Sequence, residues 1–170
     1  MKQEYNLSEK QQFLLDFWHD KASPEGWVDK SHVCLQALSK ISPNLILLKS
    51  VGNDAWEFTL VGTGIVEEYC QDFTGCLIDD IPFDQCKTLY QETMNHSRRA
   101  VVPHIIQGDF CYDKNGFLQA NEVSIPVSDN GEGVTHVLIV CDIKRGQEIR
   151  SLYVPDKPNE FSYEISPYRC

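Results

Sequence analysis

The sequence predicts a single α+β domain built on an antiparallel sheet, and three observations carry that expectation. Two short apolar runs, residues 45–51 and 56–61, flank the turn-forming Gly52-Asn53-Asp54, which marks a hairpin. Three longer strand-like runs, 102–112, 117–127 and 134–143, are joined by Asp113-Lys114-Asn115-Gly116 and Ser128-Asp129-Asn130-Gly131. These links are short enough to make the three strands antiparallel neighbours. Helical periodicity fills the segments before the hairpin and between the two strand groups. Together they make one five-stranded antiparallel sheet with helices on one face, preceded by an N-terminal helical segment.

The first helix opens at Ser8, whose spacing to Gln11 is that of a capping box. Phe13, Leu14, Phe17 and Trp18 share one face, and Ser23-Pro24-Glu25-Gly26 ends the helix. A second short helix is expected over 31–39, with Val33, Leu35 and Leu38 available for burial. After the hairpin, Gly62 stops the strand and Thr63 caps a short helix carrying Ile65, Val66 and Tyr69. Turns fill 72–82. A longer helix over 84–99 repeats Cys86, Leu89, Tyr90, Thr93 and Ser97 at helical spacing, with Arg98 and Arg99 at the negative end of its dipole.

In the last strand Val134, His136, Leu138 and Val140 point one way, and Val137, Ile139 and Cys141 the other. Both sets are largely apolar, so this strand is expected in the centre, covered on both faces. The middle helices supply one cover. The N-terminal helix, from the same chain or a second copy, supplies the other. Pro103 fits an edge strand, and Pro126 a strand end or bulge. The chain thus divides into a helical segment (1–42), a core (43–143) and a tail (144–170). Pro155, Pro158 and Pro167 keep that tail from forming long helices, and Tyr153, Phe161, Tyr163 and Tyr168 mark it as a docking segment.

The formal net charge is −10 and the pI about 4.8. Such a surface repels phosphate backbones and anionic membranes, so neither nucleic acid nor membrane is an expected partner. The longest apolar runs, 45–48 and 137–141, are too short to cross a bilayer, and the polar first ten residues do not read as a signal peptide, which points to the cytoplasm. The seven cysteines include no CxxC pair, so they are read as reduced thiols, most of them small core residues.

The order of elements is that of a PAS domain. Phe58-Thr59-Leu60-Val61-Gly62-Thr63-Gly64-Ile65-Val66 followed by Asp72-Phe73-Thr74-Gly75 resembles a signature of short bacterial single-domain PAS proteins. Trp18 resembles that group's helical tryptophan, and residues 122–131 its Glu-x-x-x-Pro strand and acidic turn. The likeness spans about residues 13–143. Thr59, Cys70 and Cys76 depart from the pattern, standing where an arginine, a glycine and a basic residue are common. Physically the motif is structural. Gly62 permits a sharp exit from the sheet, Thr63 serves a helix start, and Asp72, Thr74 and Gly75 make a turn.

The resemblance implies a pocket between sheet and helices, with Phe58, Leu60, Phe73, Tyr90, His104, Ile106, Val123, Ile125, His136 and Leu138 as its candidate lining. The plainer reading is that these side chains fill the core. No cofactor is singled out. His104 and His136 lack further ligands at metal spacing and fall on non-adjacent strands, so no metal site is expected. Gly75-Cys76 does not resemble a flavin-binding cysteine motif. Cys70, Cys76 and Cys86 are candidates for a redox thiol, against the plainer reading of inert cysteine. Asp79-Asp80 precedes a helix, where capping accounts for it. Cys86 and His96 are too far apart on one helix to form a catalytic pair.

The expected function is therefore a stand-alone sensory module, not an enzyme, that binds a small ligand or a protein partner and signals through that partner or a homodimer contact. Two alternatives are a small α+β enzyme of cyclase or isomerase type, with a carboxylate facing His104 or His136 across an apolar pocket, and a ligand-free interaction module with a filled core.

Overall fold

A computed structural model describes residues 5–69, 71–82, 84–113, 116–145 and 162–168. Helix α1 (Glu9–Lys21) starts at the capping box that the sequence predicts: the Ser8 amide donates to Gln11 Oε1 at 2.9 Å, and the Gln11 amide to Ser8 Oγ at 3.4 Å. Trp18 Nε1–H donates to the Gly26 carbonyl at 2.7 Å and ties the loop back onto the helix. A two-residue strand β1 (Val28–Asp29) and a 3-10 turn follow. The second helix shrinks to α2 (Leu35–Leu38), which buries Leu38 but leaves Leu35 70% exposed. Four residues make a single turn, and one turn has too little inward surface to bury more than one of its leucines.

Strands β2 (Leu45–Gly52) and β3 (Ala55–Val61) form the expected hairpin. Asn53 and Asp54 both take positive φ, 50° and 59°, as a two-residue turn between twisted strands requires. Helices α3 (Thr63–Tyr69) and α4 (Asp84–Arg99) come next, then β4 (His104–Asp113), β5 (Gly116–Ser128) and β6 (His136–Arg145). Thr63 is the first helical residue of α3 rather than its cap. The Gly62 carbonyl accepts from the amides of Ile65 and Val66. Gly62 does not take positive φ. It is glycine because a Cβ would collide with the carbonyls of Ser42 and Pro43.

Among the described residues the sheet has seven strands, not five, in the order β3-β2-β6-β5-β4-β7, with β1 pairing parallel to the end of β5. The added strand β7 (Ser162–Pro167) comes from the tail and runs antiparallel to β4. Pro103 therefore does not mark an edge: β4 lies between β5 and β7, and the Pro103 carbonyl accepts from the Tyr168 amide at 2.8 Å. Pro126 sits near the end of β5, past the last residue that pairs with β4, where no donor to that strand is needed. Tyr168 stacks near Tyr5 and His19. Tyr153 and Phe161 lie outside the described residues.

β6 is central and covered on both faces. Val137, Ile139 and Cys141 pack under α3 and α4, whereas Leu138 and Val140 pack under α1 of the same chain, against Leu14 and Leu15. Val134 precedes the strand and packs with the α4-side cluster, not with Leu138 as simple alternation predicts. Arg98, at the end of α4, donates to Asp54 and Ser50 at 2.8 and 2.7 Å and lies over the Trp56 ring, which fastens the helix to the hairpin.

Candidate functional site

The predicted pocket lining divides between the two faces. Phe58, Phe73, Tyr90 and Ile106 belong to the cluster under α3 and α4, and His104 shares that face with Ile106. Leu60, Val123, Ile125 and Leu138 belong to the α1 side, and His136 shares their face. A bulge explains the separation of Phe58 from Leu60. Leu47 pairs with Leu60 and Leu48 with Phe58, so Thr59 is the extra residue, and its hydroxyl donates to the Leu47 carbonyl at 3.1 Å. One inserted residue sends side chains two apart to opposite faces.

The α1 face holds little chemistry. His136 Nδ1 is 2.9 Å from Thr135 Oγ1 and 4.0 Å from Asp129, at the start of β6. Burial lowers its pKa. One strand, β5, separates it from His104 in the sheet, and the two lie on opposite sides.

The α4 face is different. Helical spacing brings Cys86, Tyr90, Thr93 and Ser97 inward, and all are buried. Opposite them β5 presents Glu122 and Ser124, β6 presents Cys141, and β4 presents Ile106 and His104. Glu122 pairs across the sheet with Cys141 on one side and Ile106 on the other, and Ser124 with His104. The Cys141 thiol donates to Glu122 Oε1 at 3.4 Å. Burial pushes the Glu122 carboxyl up to about 7, while hydrogen bonding from Cys141 and then Tyr90 holds it from going higher. The same burial, reinforced by the Glu122 charge, pushes Cys86 up to about 12 and Tyr90 and Cys141 upward. His104, beside His96 at 5.7 Å between ring centres, is pushed down to about 4, chiefly by burial.

Four buried polar atoms on this face have no hydrogen-bond partner among the described residues: Ser97 Oγ, His104 Nδ1, Glu122 Oε2 and Ser124 Oγ. Buried polar atoms are nearly always partnered, and each one left unmet costs ~1–3 kcal/mol. On the same side of the sheet a cavity of about 10 Å3, enough for roughly one water molecule, is lined by Ile46, Phe58, Tyr69, Phe73, Cys86 and Tyr90, among others. Glu122 stands behind Tyr90 and Cys86 of that lining.

The motif residues Asp72, Thr74 and Gly75 make the turn that their sequence predicts. Asp72 Oδ1 accepts from the Thr74 amide at 2.9 Å and its hydroxyl at 2.7 Å, and Gly75 takes φ +87°. Of the redox candidates, Cys86 is buried and holds its proton, Cys76 is half-buried, and Cys70 lies outside the described residues. No group of three or more His, Cys, Asp or Glu among the described residues comes together as a metal-ligand set, and no helix among them is long and apolar enough to cross a membrane.

Glu122 is the site residue that the pocket reading omits. Its signal is a charged residue inside the apolar alternation Val123, Ile125, Val127, on a strand next to one that must be covered on both faces. No family model matches the chain, and neither does any curated protein or solved structure.

Proposed function

We propose that the chain is a PAS-like sensory module that binds a small ligand between its sheet and the α3–α4 cover, and does not itself catalyse a reaction. The observation that carries this reading is the row of unpartnered buried polar atoms on the same side of the sheet as a cavity with four aromatic residues in its lining. A hairpin and a meander combined in one sheet, with helices between them in sequence, support the PAS resemblance. The route for a signal is short. β6 touches both layers through alternate side chains, so a ligand that favours one placement of α4 shifts the population of α1 placements on the other side. A protein partner or a second copy then reads α1.

A small acid–base enzyme is the second reading, favoured by Glu122 and His104 on one face of adjacent strands. It needs an opening that lets substrate reach both, whereas each side chain is about 1% exposed.

Native mass spectrometry of the purified protein, repeated under denaturing conditions, tests the sensor reading. The expected result is a non-covalent mass released on denaturation. Adding that compound back should change amide exchange in both α4 and α1. A protein that carries no such mass and is stabilised by no member of a metabolite library overturns the proposal.

A further inference from the structure

Four aromatic rings, with Ile46, Ile65, Ile81 and Cys86, line the cavity on the α3–α4 side. Phe58 and Tyr90 meet edge to face at 5.4 Å, Phe58 and Phe73 lie 6.1 Å apart, and Tyr69 and Phe73 6.0 Å. Aromatic clusters are common in cores. This one has a carboxyl behind it. Glu122 is buried with one oxygen unpartnered, and none of the ion pairs among the described residues involves it. Buried carboxylates are ordinarily paired with a positive charge. The aromatic lining, the carboxyl and the net charge of −10 all favour a cation. A hard metal ion does not fit, because it requires several oxygen ligands and only one carboxyl is present.

We propose that this cavity is the binding site for a small organic cation of the alkylammonium class, with Phe58, Tyr69, Phe73 and Tyr90 enclosing its body and Glu122 balancing its charge. The inference rests on the ligand-sensor reading and names its ligand class. Closed, the cavity holds about one water, so the ligand enters by parting the rings. They stand on separate elements: Phe58 on β3, Tyr90 on α4, Tyr69 at the end of α3 and Phe73 in the turn segment after it. The chain after Phe73 rejoins β3, where the Gly75 amide donates to the Phe58 carbonyl at 2.7 Å and the Phe58 amide to the Cys76 carbonyl at 2.9 Å, so the rings part at Tyr69 and Phe73, ahead of that attachment.

Calorimetry and thermal shift at constant ionic strength, with choline, ethylammonium and dimethylbutanol (the uncharged isostere of choline), test this on the whole chain. Choline or ethylammonium should bind at least ~10-fold more tightly than dimethylbutanol, the margin that a desolvated cation–π contact provides. Glu122→Gln should remove most of that preference and leave dimethylbutanol binding unchanged. Should the variant fail to fold, the wild type carries the test alone. Lowering the pH from about 8 to about 5 protonates Glu122 and should weaken cation binding. Tyr90, Cys86 and Cys141 stay protonated, and His104 stays neutral, throughout that range. Equal affinity for choline and dimethylbutanol, or cation binding indifferent to both Glu122→Gln and pH, overturns the inference. If a neutral compound binds and neither cation does, the cation class falls and the sensor reading stands. If nothing binds and no mass is released on denaturation, both fall.

Discussion

The two faces of the sheet are built from different materials. The buried cluster under α1 is wholly aliphatic: Leu14, Leu15, Val28, Leu38, Ile41 and their strand partners down to Val140. The cluster under α3 and α4 contains Trp56, Phe58, Tyr69, Phe73, Tyr90, Met94 and two thiols, and the same face carries Glu122, Ser124 and His104. Branched aliphatics pack in few rotamers and carry no polar atoms to satisfy, so the α1 face can close without compromise. The α4 face retains polar groups that burial penalises. Stability is concentrated on one side and chemistry on the other, with β6 between them.

Truncation of the aliphatic side should have the largest effect. Leu14 is fully buried, and Leu14→Ala is expected to cost ~3–4 kcal/mol through lost burial and the cavity left behind. Urea denaturation should show a lower midpoint with an unchanged slope. The comparison fails if Tyr90→Phe, which removes only a hydroxyl on the other side, costs as much.

The next effect is electrostatic and confined to the α4 face. Glu122 rises from 4.5 to about 7 on folding, so the folded state holds its proton more tightly than the unfolded state. Its contribution to stability is intact below pH 4.5 and is lost as the pH rises through about 7, a change of roughly 3 kcal/mol. His104 acts in the opposite sense. Its pKa falls from 6.5 to about 4, so its contribution is present above pH 6.5 and is lost as the pH falls toward 4. The two oppose each other over the interval they share, and the wild-type profile there should be shallow. Glu122→Gln unmasks His104, giving stability that rises with pH up to about 6.5. His104→Gln unmasks Glu122, giving stability that falls as pH rises toward 7. Urea midpoints at a series of pH values read both slopes. Two variants with the same slope would mean that the two groups are not titrating against this buried face.

Much of the fold was legible because its signals are local. The bounds of α4, Asp84–Arg99, follow from the spacing of Cys86, Leu89, Tyr90, Thr93 and Ser97, and the hairpin from Gly52-Asn53-Asp54. The two-sided burial of β6 follows from its apolar residues on both faces. What was not legible depends on partners distant in sequence. The pairing of β7 with β4 depends on an edge strand far from the tail in sequence. The Thr59 bulge has no composition of its own, yet it turns Leu60 of the presumed pocket away from Phe58, and only the register that sets Val123 opposite Ile105 rather than Ile106 carries Val123, Ile125, His136 and Leu138 to the α1 face. Glu122 could be read as charged, but only its register with Cys141 and Ile106 places it in the buried layer under α4.

The smallest effect sharpens the same contrast at the edge of the aliphatic side. The Ser8 hydroxyl accepts from the Gln11 amide at 3.4 Å, a long hydrogen bond, and the Gln11 side chain, itself buried, accepts one from the Ser8 amide at 2.9 Å. Ser8→Ala removes only the longer of these and should cost about 1 kcal/mol or a little less. Gln11→Ala removes the shorter one and its buried amide, and should cost more. Neither change alters the set of groups that titrate on the α4 face, so both variants should shift urea midpoints equally at every pH. A pH-dependent shift in Ser8→Ala would show that α1 and the Glu122 face are energetically coupled through β6, which is the coupling a sensor of this construction needs.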